Sequence, residues 1–107
     1  MLAPERAEIV VAVKLIDGRY RITYVDPLVA EVRRGGSVNW TLKVPADMTV
    51  RIENFRLKVT DTPFNEPWTP DSRSATVRSA RSLTYKYDIV LGNGERLDPE
   101  IVIYEDA

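Results

Sequence analysis

The sequence predicts an all-β fold, an antiparallel Greek-key β-sandwich of seven to eight short strands. Three observations carry this. Apolar residues recur at every second position in segment after segment, the period of a strand with one buried face. Turn-forming pairs and prolines interrupt that period at intervals of about 8–12 residues. One connection, Thr60 to Ser72, is too long and irregular for a simple meander, which favours Greek-key crossings. No segment carries a helical period, and no repeat or low-complexity linker divides the chain. Its 107 residues therefore read as a single domain, 1–107, with residues 1–7 as a flexible N-terminal arm.

In the first strand Ile9, Val11, Val13 and Leu15 alternate with Val10, Ala12 and Lys14. Asp17-Gly18 follows, a pair that tolerates the positive φ of a tight primed turn, and the chain returns through Tyr20, Ile22 and Tyr24. Asp26-Pro27 ends this hairpin, because proline has no N–H for a ladder and restricts the residue before it. A short strand from Val29 to Arg33 leads to the Gly35-Gly36 turn. Val38, Trp40, Leu42 and Val44 then alternate with Asn39, Thr41 and Lys43 until Pro45.

From Thr49 to Val59 the apolar phase slips by one near Glu53-Asn54, which places a bulge or a crossing between sheets there. After the irregular segment come strands over Ser74–Ser79, Thr84–Leu91 and Ile101–Tyr104, with a turn at Gly92-Asn93-Gly94. Asp98-Pro99 opens the last strand, where proline sacrifices no needed donor and a buried aspartate can bond the closing turn. Val10, Ala12, Val102 and Tyr104 fall on the phase opposite the core, as residues under a second layer or on a dimer face do.

Composition excludes much chemistry. The chain has neither cysteine nor histidine, so Ser-His-Asp and Cys-His triads, thiolate nucleophiles, disulfides and zinc knuckles are impossible. Formal charge is −1, from 15 basic and 16 acidic residues, so no global field steers the chain toward nucleic acid or a membrane. No apolar run approaches the length of a membrane span, of order 20 residues, and the opening MLAPERAE lacks the apolar region of a signal peptide. A cytoplasmic location is the default expectation, and a mature exported chain reads the same way.

Two segments carry a family resemblance. VRRGGSVNWTLKV, Val32 to Val44, resembles the cupredoxin strand in which a glycine turn feeds Val-x-Trp. YKYDIVLGNGERLDPEIVI, Tyr85 to Ile103, resembles the cupredoxin hairpin that runs from Tyr-x-Tyr through the ligand loop to an Ile-x-Val strand. The likeness extends from Pro27 through Tyr104 and implies a cupredoxin-like sandwich. Cupredoxins hold copper through one histidine and a Cys-His-Met set. Carried onto this chain, the first histidine falls near Met48, the cysteine at Ile89, the second histidine near Gly92, and the methionine within Asn93–Asp98, where none occurs. The resemblance thus implies the scaffold without the metal, and no cofactor is expected.

Three surface features remain as candidates. In PFNEPWTP, Phe64 and Trp68 stand between Pro63, Pro67 and Pro70 as rigid aromatic anchors for a partner or a sugar ring, unless both rings fold back to cap the sandwich. The basic run Arg73, Arg78, Arg81 and Lys86 precedes an acidic stretch, Asp88 to Asp106, and this change of sign suits an anion, a head-to-tail contact or simply a solvated face. The carboxylates Asp17, Asp26, Asp47, Asp61 and Glu66 include neither a glycosidase pair nor the Asp-x-Asp of a calcium loop. The expectation is a non-catalytic, metal-free module for protein binding or self-association. The alternative is a small-ligand domain, for carbohydrate or an anion, using the loop around Phe64 and Trp68.

Overall fold

The computed structural model describes residues 4–56, 63–78 and 83–104. The chain forms β1 (Arg6–Ile16), β2 (Arg19–Asp26), β3 (Val29–Arg33), β4 (Ser37–Lys43), β5 (Val50–Arg56), β6 (Ser74–Thr76), β7 (Leu83–Leu91), β8 (Arg96–Leu97) and β9 (Glu100–Tyr104). One sheet runs β2-β1-β4-β6 and the other β3-β9-β7-β5, with β8 also on β7. The all-β expectation holds, and no helix among the described residues is long and apolar enough to cross a membrane. β1 begins at Arg6, within the segment read as an arm, and Ala7 is buried.

The purely antiparallel reading is corrected. β1 pairs β4 in parallel, Arg6 opposite Ser37 through Ala12 opposite Lys43, and β3 pairs β9 in parallel. Period two identifies a strand but not the sheet it joins. At the cis Asp26–Pro27 peptide the chain leaves the first sheet, so β3 lies in the second. β4 then comes back from there beside β1, aligned with it.

The count of nine among the described residues, against seven to eight, has a local cause. β8 and β9 are successive partners of β7, separated at Asp98-Pro99, where proline has no N–H to donate. The Pro99 carbonyl still accepts from the Tyr87 N–H at 3.1 Å.

Local chemistry sets the turns. Asp17 and Gly18 both adopt positive φ, 51° and 76°, as the primed hairpin turn demands. The phase slip in β5 is a bulge: the β5–β7 register shifts between Glu53 and Arg56, and Asn54 sits at φ 61°. At Gly36 a Cβ would lie 2.3 Å from the Glu5 carbonyl oxygen, so only glycine lets the N-terminal segment pass this close.

The core lies between the sheets. Ile9, Val11, Val32, Val38, Ile52, Ile89, Ile101 and Ile103 are fully buried there. Trp40 is its aromatic centre, edge-on to Phe55, Phe64, Trp68 and Tyr87 at centroid separations of 5.3–6.3 Å. Its indole N–H donates to the Tyr87 hydroxyl at 3.1 Å, which satisfies both polar atoms of a buried cross-sheet pair.

Candidate interaction edge

Two sheets that do not close into a barrel leave lateral edges, here β2, β6, β3 and β5, with the two-residue β8, paired to β7 alone, as a further short margin. An edge strand directs alternate N–H and C=O groups away from its neighbour, and each is either covered by the chain or available to another chain. Where those groups bond decides which edge can work as an interface.

The edge of β5 is covered by the second half of the irregular segment itself, Trp68 to Arg73. The Ile52 N–H donates to the Pro70 carbonyl at 2.7 Å, and the Trp68 indole N–H donates to the Ile52 carbonyl at 2.7 Å. The Arg73 guanidinium donates to the Val50 carbonyl at 2.8 Å and, on its own side of the loop, to Ser72 and Pro70 carbonyls. Burial of this guanidinium holds its pKa below the ordinary arginine value, with nearby Asp71 offsetting part of the effect.

The edge of β6 is covered by the start of the same segment. Phe64 bridges Val77, the Asn65 N–H donates to the Thr76 carbonyl at 3.0 Å, and the Thr76 N–H donates to the Glu66 carboxylate at 3.1 Å. The edge of β2 is covered at Tyr20 and Ile22, from across the sandwich, by the turn after β7. Glu95 accepts the Ile22 N–H and pairs with Arg21 at 3.2 Å, while the Asn93 side-chain amide donates to the Tyr20 carbonyl at 2.9 Å. The same Asn93 accepts the Glu95 N–H at 3.0 Å, which fixes the turn that presents both side chains. A cavity of about 550 Å³, lined by Gly18, Arg19, Tyr20, Asn93, Gly94 and Glu95, lies between this turn and the β1–β2 turn.

β3 differs. In a parallel ladder alternate residues of a strand bond the neighbour. The Glu100 N–H donates to the Leu28 carbonyl at 3.0 Å and the Arg34 N–H to the Tyr104 carbonyl at 2.9 Å, so the even positions face β9. Val29, Glu31 and Arg33 therefore turn their backbone groups outward. The Arg33 N–H donates to the Pro4 carbonyl and the Arg33 carbonyl accepts from Gly36. Among the described residues, the N–H and C=O of Val29 and Glu31 have no partner.

The same edge carries apolar surface. Leu28 is 51% exposed and Val29 46%, and on the outer face Tyr104 is 36% exposed. Tyr104 donates its hydroxyl to Glu31 at 2.9 Å, and this bond with the nearby Glu31 charge raises its pKa above the ordinary phenol value. The other exposed large apolar residues, Leu15, Ile16 and Tyr24, belong to the β1–β2 hairpin.

The residues singled out from sequence fall as follows. Phe64 is 4% exposed and its ring lies 5.1 Å from Phe55 within the core cluster. Trp68 is half-buried against Phe55 and Phe64. Arg73 faces β5 as described, and the Arg78 N–H donates to the Pro63 carbonyl at 3.0 Å. Arg81 lies outside the described residues. The structure thus brings Trp68 and Arg73 together on the β5 edge, with Phe64 beneath them. Asp98, read as a buried residue, is instead more than half exposed and lies 3.8 Å from Arg56.

Asp88, read from sequence only as the head of an acidic stretch, is the one buried charged residue among those described. It accepts from Asn54 at 2.9 Å, Arg56 at 3.3 Å and Arg96 at 3.4 Å. These groups border a cavity of about 400 Å³ together with Leu97 and Asp98. The available signal was an aspartate between Tyr87 and Ile89, opposite a bulge that carries asparagine and arginine. Among the described residues no group of three or more acidic side chains converges into a metal site. The chain matches no protein-family model and no curated protein.

Proposed function

We propose that the chain is a metal-free, cupredoxin-like Greek-key module that acts in protein binding or assembly through the β3 edge, without catalysis. One observation carries this reading. Side chains and backbone of distant segments bond groups on the β2, β5 and β6 edges, while among the described residues the outward backbone groups of Val29 and Glu31 have no partner and lie beside exposed apolar residues. An unprotected apolar edge is the standard template for strand addition.

Two features support the cupredoxin-like scaffold. Val38-x-Trp40 and Tyr85-x-Tyr87 both point into the core, joined by the Trp40–Tyr87 hydrogen bond. The Gly92 N–H donates to the Thr49 carbonyl at 2.8 Å, so the positions near Met48 and Gly92 that correspond to two cupredoxin ligands adjoin. A second reading, a small anion or carbohydrate ligand, draws support from the cavity beside Arg56, Arg96 and Asp88 rather than from the Phe64–Trp68 loop.

The test compares proteins captured from the native cell by the tagged wild-type chain and by Val29→Lys, which places a charge on the open edge. A partner retained by wild type and lost by Val29→Lys supports the edge reading. A partner bound equally by both contradicts it. A melting shift with phosphate, sulfate or simple sugars that Arg56→Ala removes favours the second reading.

A further inference from the structure

We infer that the occupant of the β3 edge is β3 of a second copy of this chain, paired antiparallel about a two-fold axis at Ala30. This deepens the edge reading and rests on it. The open stretch is short and bounded. Pro27 has no N–H at one end, and the Pro4 carbonyl already occupies the Arg33 N–H at the other. What remains among the described residues is N–H and C=O at Val29 and again at Glu31, spaced evenly around Ala30.

Outward residues exchange bonds in directly opposed pairs in an antiparallel ladder. Three two-fold registers are available to this stretch. Centring on Val29 leaves Glu31 without a partner, since the residue it would face is Pro27. Centring on Glu31 opposes two carboxylates and sets Val29 against Arg33, whose backbone groups are already engaged. Centring on Ala30 opposes Val29 to Glu31 of the second copy, and Glu31 to its Val29, so all four open groups of each strand are satisfied within the pair.

Charge and surface agree with that register. It sets Val29 rather than a second carboxylate against each Glu31, so no like charges are opposed. It sets exposed Leu28 opposite Val32, and draws the Val29 and Tyr104 side chains of the two copies toward one outer face. The second sheets of two copies become one continuous sheet. A net charge of −1 per chain opposes this little.

The test is sedimentation of the full chain over a wide concentration range, with amide exchange at Val29 and Glu31. The expected result is a reversible dimer in which both amides slow as concentration rises. Val29→Glu should weaken the dimer at least about tenfold while the monomer stays folded, because it sets two carboxylates against each other at both Val29–Glu31 pairs and its side chain is on the outer face. Register is tested by cross-linking, since the chain has no cysteine of its own. A mixture of Val29→Cys and Glu31→Cys chains should form the mixed disulfide in preference to either homodimer.

A chain that stays monomeric with both amides freely exchanging overturns self-pairing, and loss of a captured partner in Val29→Lys would then still uphold the edge reading. Slow exchange of both amides in dilute monomer overturns self-pairing because the chain covers its own edge. A dimer indifferent to Val29→Glu, or one that cross-links best in a homodimer, overturns this interface.

Discussion

The carboxylate of Glu95 accepts the backbone N–H of Ile22, a residue 73 positions away on the edge of the opposite sheet. The bond joins the two sheets at their margin and occupies a group that would otherwise template another strand. Glu95→Ala should cost about 1–3 kcal/mol in chemical denaturation, because the Ile22 N–H and Arg21 both lose their acceptor. Glu95→Gln, which keeps an acceptor oxygen without the charge, should recover much of the loss. The Ile22 amide should exchange faster in the alanine variant than in wild type.

Trp68 and Arg73 do equivalent work on β5. Trp68→Phe retains the ring but removes the donor to the Ile52 carbonyl, and should destabilise by about 1–2 kcal/mol. Arg73→Ala frees the Val50 carbonyl and should raise exchange in β5 while leaving the β1–β2 hairpin unchanged. Global unfolding by either variant at moderate temperature would show that the loop supports the core rather than the edge.

Asp88 holds the bulged strand to its neighbour through Asn54, Arg56 and Arg96. Removing one member of a buried charged network leaves the others uncompensated, although Arg96 is 63% exposed and water relieves part of the penalty. Asp88→Ala should therefore cost about 2–3 kcal/mol, toward the low end for buried pairs. Asp88→Asn should cost less, since it still accepts from Asn54. Urea unfolding of the three proteins gives the order directly.

Tyr87 makes stability fall in alkali. Burial pushes its phenol well above the ordinary value of 10.0, against a smaller opposing effect of the Trp40 hydrogen bond. In the unfolded chain the phenol ionises near pH 10, whereas the folded chain keeps the proton. The unfolded state then binds fewer protons, so this contribution is complete below pH 10 and is lost as pH rises, at about 1.4 kcal/mol per unit. Tyr87→Phe should cost about 1–2 kcal/mol at neutral pH, by leaving the Trp40 N–H without its acceptor, and should show a shallower alkaline decline.

Strand positions were legible because alternation at Ile9–Leu15 or Val38–Val44 depends on one face being buried, and a single sequence displays that directly. The slip at Glu53-Asn54 was legible for the same reason. Pairing was not. Nothing local distinguishes a β4 that pairs antiparallel from one that runs parallel to β1, because that depends on the two sheet crossings before it. Edge coverage was hidden as well. Trp68 and Arg73 look like exposed anchors in a proline-rich loop, and their partners are backbone carbonyls of Val50 and Ile52, which carry no sequence signature. The open edge escaped notice because VAEVR reads as an ordinary short strand; its importance appears only when the other edges are found covered.

Residue-resolved amide exchange on the dilute chain tests the central claim most directly. Ile22, Ile52 and Thr76 donate outward to Glu95, Pro70 and Glu66, so their amides should be protected. Val29 and Glu31 should exchange freely, as edge amides open to solvent do. Protection at Val29 and Glu31 in the dilute chain, or exchange at Ile22, Ile52 and Thr76 as fast as theirs, would contradict the account.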